Sequence, residues 1–139
     1  MEIEGHFFFE LMSALSLMMD LDENRKLYHG WRVALLSEKM ARQILPEYSA
    51  HIFFAGMLHD IGAIALPDHV THYTDIEEHF RNPILFNHSE KGAKIVSQIE
   101  PISITSEMIL HHHEQWDGGG YPQGLKGNDI SIGGQILRI

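Results

Sequence analysis

Residues 111–127 read HHHEQWDGGGYPQGLKG, and the interpretation of the whole chain starts from this stretch. Three consecutive histidines end an apolar run, and an acid and a cluster of glycines follow them directly. Imidazoles bind metal ions, and glycines let the backbone approach a ligand closely. A second pair, His59 and Asp60, lies far upstream. We expect it to form the other half of the same site.

The composition predicts one globular domain in the cytoplasm. The chain has 139 residues, of which 44% are hydrophobic, which is enough for a substantial core. No apolar run reaches the length of a membrane span, and no signal-peptide pattern opens the chain. The net charge of −9 opposes binding of a nucleic-acid polymer.

The residue types also restrict the chemistry of the site. The chain has no cysteine, so disulfides and thiolate zinc sites are excluded, but it has 11 histidines. An excess of histidine without cysteine predicts metal binding by imidazoles and carboxylates.

Helical periodicity predicts an all-α bundle of about six or seven helices. Residues 5–19 are apolar almost all round, which predicts a helix buried on most sides. Residues 25–45 predict a second helix with a stripe facing the core, formed by His29, Val33, Leu36, Met40 and Ile44. Residues 48–61 predict a third helix with His59 on a buried line.

Capping signals place the remaining helices. The sequence TDIE at 74–77 is a capping box for a short helix, and Ser89 is predicted to cap a helix that runs to about residue 99. A further helix is predicted over 103–113, followed by a glycine-rich loop over 116–130. Ser131 is predicted to cap a last helix, which the end of the chain cuts short.

Two adjacent pairs carry the predicted chemistry. Neighbouring residues diverge by about 100° around a helix, so near a helix end the pair His59 and Asp60 would straddle two metal ions. His112 and His113 share this property, and His29 and His88 are further candidates. One carboxylate with several imidazoles suits octahedral iron or manganese ions. Two such ions would clamp a phosphodiester during in-line displacement.

Each feature also has a structural interpretation. A single histidine on an apolar stripe, such as His29, is more often a core residue, and His88 would also suit a solvated helix end. His111 is predicted to point elsewhere, because three successive residues cannot face one point. The triple glycine would also suit a simple helix stop and turn. Together, the two pairs and the loop favour a metal site.

Four motifs follow one another along the chain: His29 with WRV at 31–33, GMLHDIGAIALPD at 56–68, HSEKG at 88–92 and HHEQWDGGGYPQGLKG at 112–127. With these motifs the chain resembles the HD-GYP family, a branch of the HD superfamily of metal-dependent phosphohydrolases. The resemblance covers residues 25–139 and leaves 1–24 as an N-terminal helix and linker. It implies a bacterial domain with two or three metals that hydrolyses cyclic dinucleotides, usually cyclic di-GMP.

The resemblance also implies residue roles. The metal ligands would be His29, His59, Asp60, His88, His112 and His113. Asp60 would bridge two ions and hold the attacking hydroxide, so we take it and His59 as the catalytic pair. The loop would shape the substrate mouth and contact signalling partners. Its expected substrate-binding residues are Gly118, Gly119, Gly120, Tyr121, Pro122 and Lys126.

Three departures from the family pattern keep a second hypothesis open. Ala63 replaces a lysine that lies near a substrate phosphate, and Arg25 replaces the glutamate of three-metal members, which favours two metals. The family's last ligand, an aspartate, would follow the ILRI segment, so the C-terminal part of the domain is expected to be missing. A homodimer would cover the apolar surface left open. The alternatives are a degenerate member that binds a nucleotide or a protein without turnover, and another HD hydrolase that acts on nucleotides.

Overall fold

The described part of a computed structural model comprises residues 2–22, 27–65 and 83–138. It contains six α-helices, and apart from one isolated bridge between Asp117 and Lys126 these residues form no strand. The predicted all-α bundle is therefore confirmed. The helices are α1 (Glu2–Asp22), α2 (His29–Ile44), α3 (Ser49–Leu58), α4 (Pro83–Val96), α5 (Ser106–Leu110) and α6 (Ile132–Leu137). Short 3-10 segments are Pro46–Tyr48, Ile61–Ala65, Glu100–Thr105 and Gly127–Asp129.

Helices α2 and α3 pack together at the centre of the fold. A Cβ atom added to Gly56 of α3 would lie 2.6 Å from the Cα of Ala34, so the two backbones are in direct contact. The buried line of α2 consists of small residues, namely Gly30, Ala34, Ser37 and Ala41. The prediction that the stripe of bulky residues on α2 faces the core was wrong, because Leu36, Met40 and Ile44 are exposed. Small side chains let the two helices approach closely, and this approach places the bulky ones outside.

Helix α1 buries one face only. Met12 and Met19 are buried, and Phe8 packs edge-on against Phe54 with ring centroids 5.4 Å apart. The opposite face is exposed, so the prediction of burial on most sides was wrong; the exposed apolar side chains are Phe7, Leu11, Met18 and Leu21. Although α1 is apolar, none of the described helices combines the length and hydropathy that crossing a bilayer requires.

Several predicted helix ends in the second half differ from the structure. Helix α4 begins at Pro83, and proline is a favoured first residue of a helix. Ser89 lies inside α4, where its hydroxyl donates to the carbonyl of Phe86 at 3.1 Å. Ser89 is therefore not a cap. The helix predicted over 103–113 is a 3-10 segment followed by the short α5. The cap of α6 is confirmed, since Ser131 Oγ accepts the amide of Gly134 at 3.2 Å. The capping box at 74–77 and Arg25 lie outside the described residues.

Candidate metal centre

Five histidines and one aspartate converge on one point from four segments of the chain. His29 begins α2, His59 and Asp60 directly follow α3, His88 lies within α4, and His112 and His113 follow α5. The donor atoms of Asp60, His88, His112 and His113 lie within 4.8 Å of one another. The donor atoms of His29, His59 and Asp60 form a second group, and they also lie within 4.8 Å of one another. The structure thus brings together all six residues that the resemblance implied as ligands, and Asp60 belongs to both groups.

Backbone carbonyls fix the orientation of two of these rings. His59 Nδ1 donates to the carbonyl of Gly56 at 2.8 Å, and His112 Nδ1 donates to that of Ile109 at 2.5 Å. Because a carbonyl can only accept, Nδ1 carries a proton in both rings. Nε2 faces the centre, where it offers a lone pair when the ring is neutral and donates to Asp60 when the ring is protonated. The neutral form with the proton on Nδ1 is the tautomer that a metal-binding histidine requires.

The ring nitrogens approach one another closely inside the centre. His29 Nε2 lies 3.2 Å from His59 Nε2. His88 Nε2 lies 3.2 Å from His112 Nε2 and 3.0 Å from His113 Nε2. Where one nitrogen of such a pair carries a proton it donates to the other, and a metal ion in place of that proton would be bound by both lone pairs. The donor set therefore fits divalent metal ions.

Asp60 lies between the two groups with one oxygen towards each. Its Oδ2 is 2.9 Å from His59 Nε2 and 3.6 Å from His29 Nε2. Its Oδ1 is 3.6 Å from His88 Nε2 and 3.7 Å from His112 Nε2. Burial raises the pKa of the Asp60 carboxyl, but the charge of His59 and hydrogen bonds from neighbouring histidines outweigh it and hold that pKa well below its usual value. Asp60 is therefore a carboxylate at neutral pH.

His59 and His112, both buried, differ in their protonation equilibria. Burial lowers the pKa of both rings, because it penalises the charged form. For His59, the charge and hydrogen bond of Asp60 outweigh burial, and the pKa is raised above 6.5. For His112, burial dominates, and the pKa is lowered. His112 is thus neutral, which is the form that binds metal, over a wider pH range than His59.

A glycine places Asp60 beside α4. Asp60 is followed by the 3-10 segment Ile61–Ala65, which packs on α4. A Cβ atom on Gly62 would overlap the carbonyl oxygen of His88 and lie 2.5 Å from the amide nitrogen of Gly92. Only glycine permits this approach, which carries Asp60 to His88.

The glycine-rich loop folds back onto His113. The amide of Tyr121 donates to the carbonyl of His113 at 3.2 Å, and the Tyr121 ring stacks on the His113 ring with centroids 4.6 Å apart. Tyr121 is buried, and its ring centroid lies 4.4 Å from that of Phe86. Burial and the charge of Asp60 raise the pKa of the Tyr121 phenol far above its ordinary value, so the ring stays neutral. Tyr121 forms a wall of the centre.

The other predicted loop residues lie around this wall. Gly118 has a φ of 84°, and the side chain of the exposed Lys126 lies against it. A Cβ atom on Gly120 would overlap the carbonyl oxygen of His113. Gly119 is exposed and donates its amide to Asp117, and the half-buried Pro122 follows a cis peptide bond. The loop thus presents Gly119 and Lys126 to solvent and packs Gly120 and Tyr121 on the metal centre.

Sequence reasoning gave Glu114 no role, although it anchors the loop. Its side chain is 1% exposed, and its two carboxylate oxygens accept the amides of Gln123 at 2.6 Å and Leu125 at 2.9 Å. No local pattern marks Glu114, because its partners lie 9 and 11 residues away. His111 anchors the loop as well: its Nδ1 accepts the amide of Ser131 and its Nε2 lies 3.1 Å from Gln123 Oε1. As predicted, His111 lies outside both donor groups.

Comparison with known proteins agrees with this geometry. The family model described as HD domain matches residues 14–139. The chain is similar to a cyclic di-GMP phosphodiesterase of Thermotoga maritima, with 34% identity over 137 residues, covering 96% of this chain and 37% of that protein. It is also similar to the 3'3'-cGAMP-specific phosphodiesterase 2 of Vibrio cholerae, with 36% identity over 115 residues, covering 80% of this chain and 22% of that protein. The chain therefore spans well under half the length of these curated relatives.

Proposed function

The chain belongs to the HD domain family, and from this premise we propose that it is a metal-dependent phosphodiesterase that hydrolyses cyclic di-GMP. The observation that carries the proposal is that Asp60 is shared between two groups of metal-binding donor atoms. Relatives named as cyclic di-GMP and 3'3'-cGAMP phosphodiesterases support a cyclic dinucleotide as the substrate.

We assign one divalent ion to each donor group. His29, His59 and Asp60 would hold the first ion, and Asp60, His88, His112 and His113 the second. Five imidazoles and one carboxylate, without thiolate, suit octahedral iron or manganese ions that keep positions open for water and substrate. When bound, such a pair lowers the pKa of water and polarises the phosphodiester, which favours in-line displacement.

The protein's own residues orient and enclose the centre. The carbonyls of Gly56 and Ile109 hold His59 and His112 with Nε2 inward. As a buried carboxylate between the two groups, Asp60 is suited to bridge the ions and, with His59, to position the attacking water. The neutral Tyr121 keeps bulk water away from His113.

The loop would form the substrate mouth. Gly119 is exposed, so a nucleotide would approach the backbone there, whereas Gly118 and Gly120 let the loop pack against Lys126 and the His113 carbonyl. Tyr121 and Pro122 would form the wall of the mouth, and Lys126 is an exposed cation suited to a phosphate. We further propose that a signalling protein contacts this loop, and that the chain acts in the cytoplasm as a homodimer.

Ala63 favours a second candidate function. It is buried in the turn after Asp60, so this position offers no cation to a substrate phosphate. A cation there would stabilise charge that develops in the transition state. Without it, the domain would bind a cyclic dinucleotide or a protein as a signalling module without turnover.

Hydrolysis of cyclic di-GMP tests the proposal. The chain is incubated with cyclic di-GMP and Mn(II), or with Fe(II) in the absence of oxygen, and the products are separated by chromatography. Asp60→Asn should abolish turnover, whereas His6→Ala, which removes an exposed histidine of α1, should leave it unchanged. Binding of cyclic di-GMP without turnover would support the second candidate, and the absence of both would contradict the phosphodiesterase and the nucleotide-binding module.

A further inference from the structure

Asp20 is a buried carboxylate that the proposed ligand set does not include. It lies in the last turn of α1 and is 7% exposed. Its Oδ1 accepts the amide of Gly30 at 3.4 Å, whereas its Oδ2 is buried and has no hydrogen-bond partner among the described residues. A buried carboxylate oxygen without a donor is unfavourable, and a nearby positive charge would compensate for it.

This carboxylate lies beside one end of the metal centre. Gly30, which it contacts, directly follows His29, and His29 Nε2 is 3.2 Å from His59 Nε2. Burial lowers the pKa of the His59 ring, whereas the charge of Asp60 raises it. The charge of Asp20 is near enough to raise the pKa of His59 further. Asp20 does not belong to either donor group, so it acts from outside the set of direct ligands.

The balance of charge between the metal ions and their ligands indicates what Asp20 would contribute. Two divalent ions carry four positive charges, and histidines bind metal as neutral imidazoles. The proposed ligands therefore contribute one negative charge, that of Asp60. Excess positive charge in a buried site is unfavourable, so a second buried carboxylate nearby favours metal binding.

We propose that Asp20 is a positioning residue that strengthens binding of the divalent transition-metal ion held by His29, His59 and Asp60. Its charge offsets that of the ion, and its bond to the Gly30 amide fixes the first turn of α2 and hence His29. The inference rests on the proposed metal-dependent function.

A purely structural role predicts a different outcome. A carboxylate near a helix N-terminus stabilises the helix, and no other side chain of the described residues caps α2. If capping were its only role, loss of the Asp20 charge would destabilise the metal-free protein and leave metal affinity unchanged. If the charge serves the metal, its loss would weaken metal binding and leave the metal-free protein equally stable or more stable.

Asp20→Asn separates these roles, because it removes the charge and keeps the size and the acceptor for Gly30. Mn(II) is titrated into metal-free protein, and free Mn(II) is counted by electron paramagnetic resonance. Thermal unfolding in chelator is the second readout. Two controls come from the same helix: Ser16→Ala removes another buried polar group that finds no hydrogen-bond partner in the described parts of the chain, and Glu10→Gln removes an exposed charge.

We expect Asp20→Asn to bind one of two Mn(II) ions about tenfold more weakly, a difference of about 1.4 kcal/mol, with no loss of stability in chelator. Both controls should bind Mn(II) like the wild type. Asp20→Glu, which restores the charge, should recover most of the affinity.

Three results would overturn the inference: wild-type affinity in Asp20→Asn, destabilisation of that variant in chelator, or an Asp20→Glu variant as weak as Asp20→Asn. A wild-type chain that binds no Mn(II) would instead refute the proposed function itself.

Discussion

Replacing Glu114 by glutamine should detach the glycine-rich loop from the metal centre. The buried carboxylate accepts two amides, those of Gln123 and Leu125. A hydrogen bond to a charged group contributes about 1.5–3 kcal/mol. Glutamine keeps one acceptor oxygen and turns a donor towards the other amide, so one bond is lost and two donors face each other. We expect the free energy of unfolding to fall by about 2–4 kcal/mol.

Urea denaturation of the metal-free protein, followed by circular dichroism, measures this loss. Asp117→Asn is the matched control, because Asp117 Oδ1 accepts the amide of Gly119 at 2.8 Å in the same loop but on its exposed side. The control should lose less than about 0.5 kcal/mol, as surface substitutions usually do. Equal and small losses in the two variants would refute the reasoning that Glu114 anchors the loop.

Three further predictions concern the packing of α2 on α3, the cap of α6 and the effect of pH. Gly56→Ala should destabilise the chain by about 1–3 kcal/mol in urea, because its Cβ would meet Ala34. The control Gly5→Ala should not destabilise it, because its Cβ would have no tertiary contact within 4 Å among the described residues. Ser131→Ala should cost about 1 kcal/mol in thermal unfolding, because the amide of Gly134 loses its acceptor, and an unchanged midpoint would contradict the cap. Mn(II) affinity should fall as pH drops through the range around 6.5, because protonated imidazoles cannot bind metal and His59, with its raised pKa, is protonated before His112. Affinity that is constant down to about pH 5 would argue against histidine ligands.

The proposed ligands were predictable because their chemistry is concentrated in short segments. His59 with Asp60 and His112 with His113 are adjacent pairs at helix ends, and the loop glycines follow directly. Helices α1 to α3 were also predictable as helices from their apolar periodicity. Pattern alone named His29 and His88 as further candidates but left them equally suited to the core or to a solvated helix end, and the family resemblance assigned them as ligands.

The faces and ends of the helices were less predictable. The sequence favours bulky apolar residues in the core, yet α2 buries its small residues, because contact between two backbones needs small side chains on both helices. Ser89 suggested a helix start, but Pro83 begins α4 six residues earlier, and buried Ser89 bonds to the carbonyl of Phe86 within the helix.

Local sequence patterns did not predict the contacts between residues that lie far apart in the sequence. No local pattern marks Glu114 or Asp20, because the amides that they accept lie 9 to 11 residues away. Only the folded chain shows that both carboxylates are buried beside the candidate metal centre.

The central claim is that Asp60 serves two metal ions at once. The most direct test counts the Mn(II) ions bound per chain by the wild type, Asp60→Asn and the control His6→Ala, using elemental analysis and equilibrium titration. The claim predicts two ions in the wild type and the control, and weakened binding of both ions in Asp60→Asn, because each donor group loses the same carboxylate. No bound ion in the wild type, or two ions held at wild-type affinity by Asp60→Asn, would contradict it.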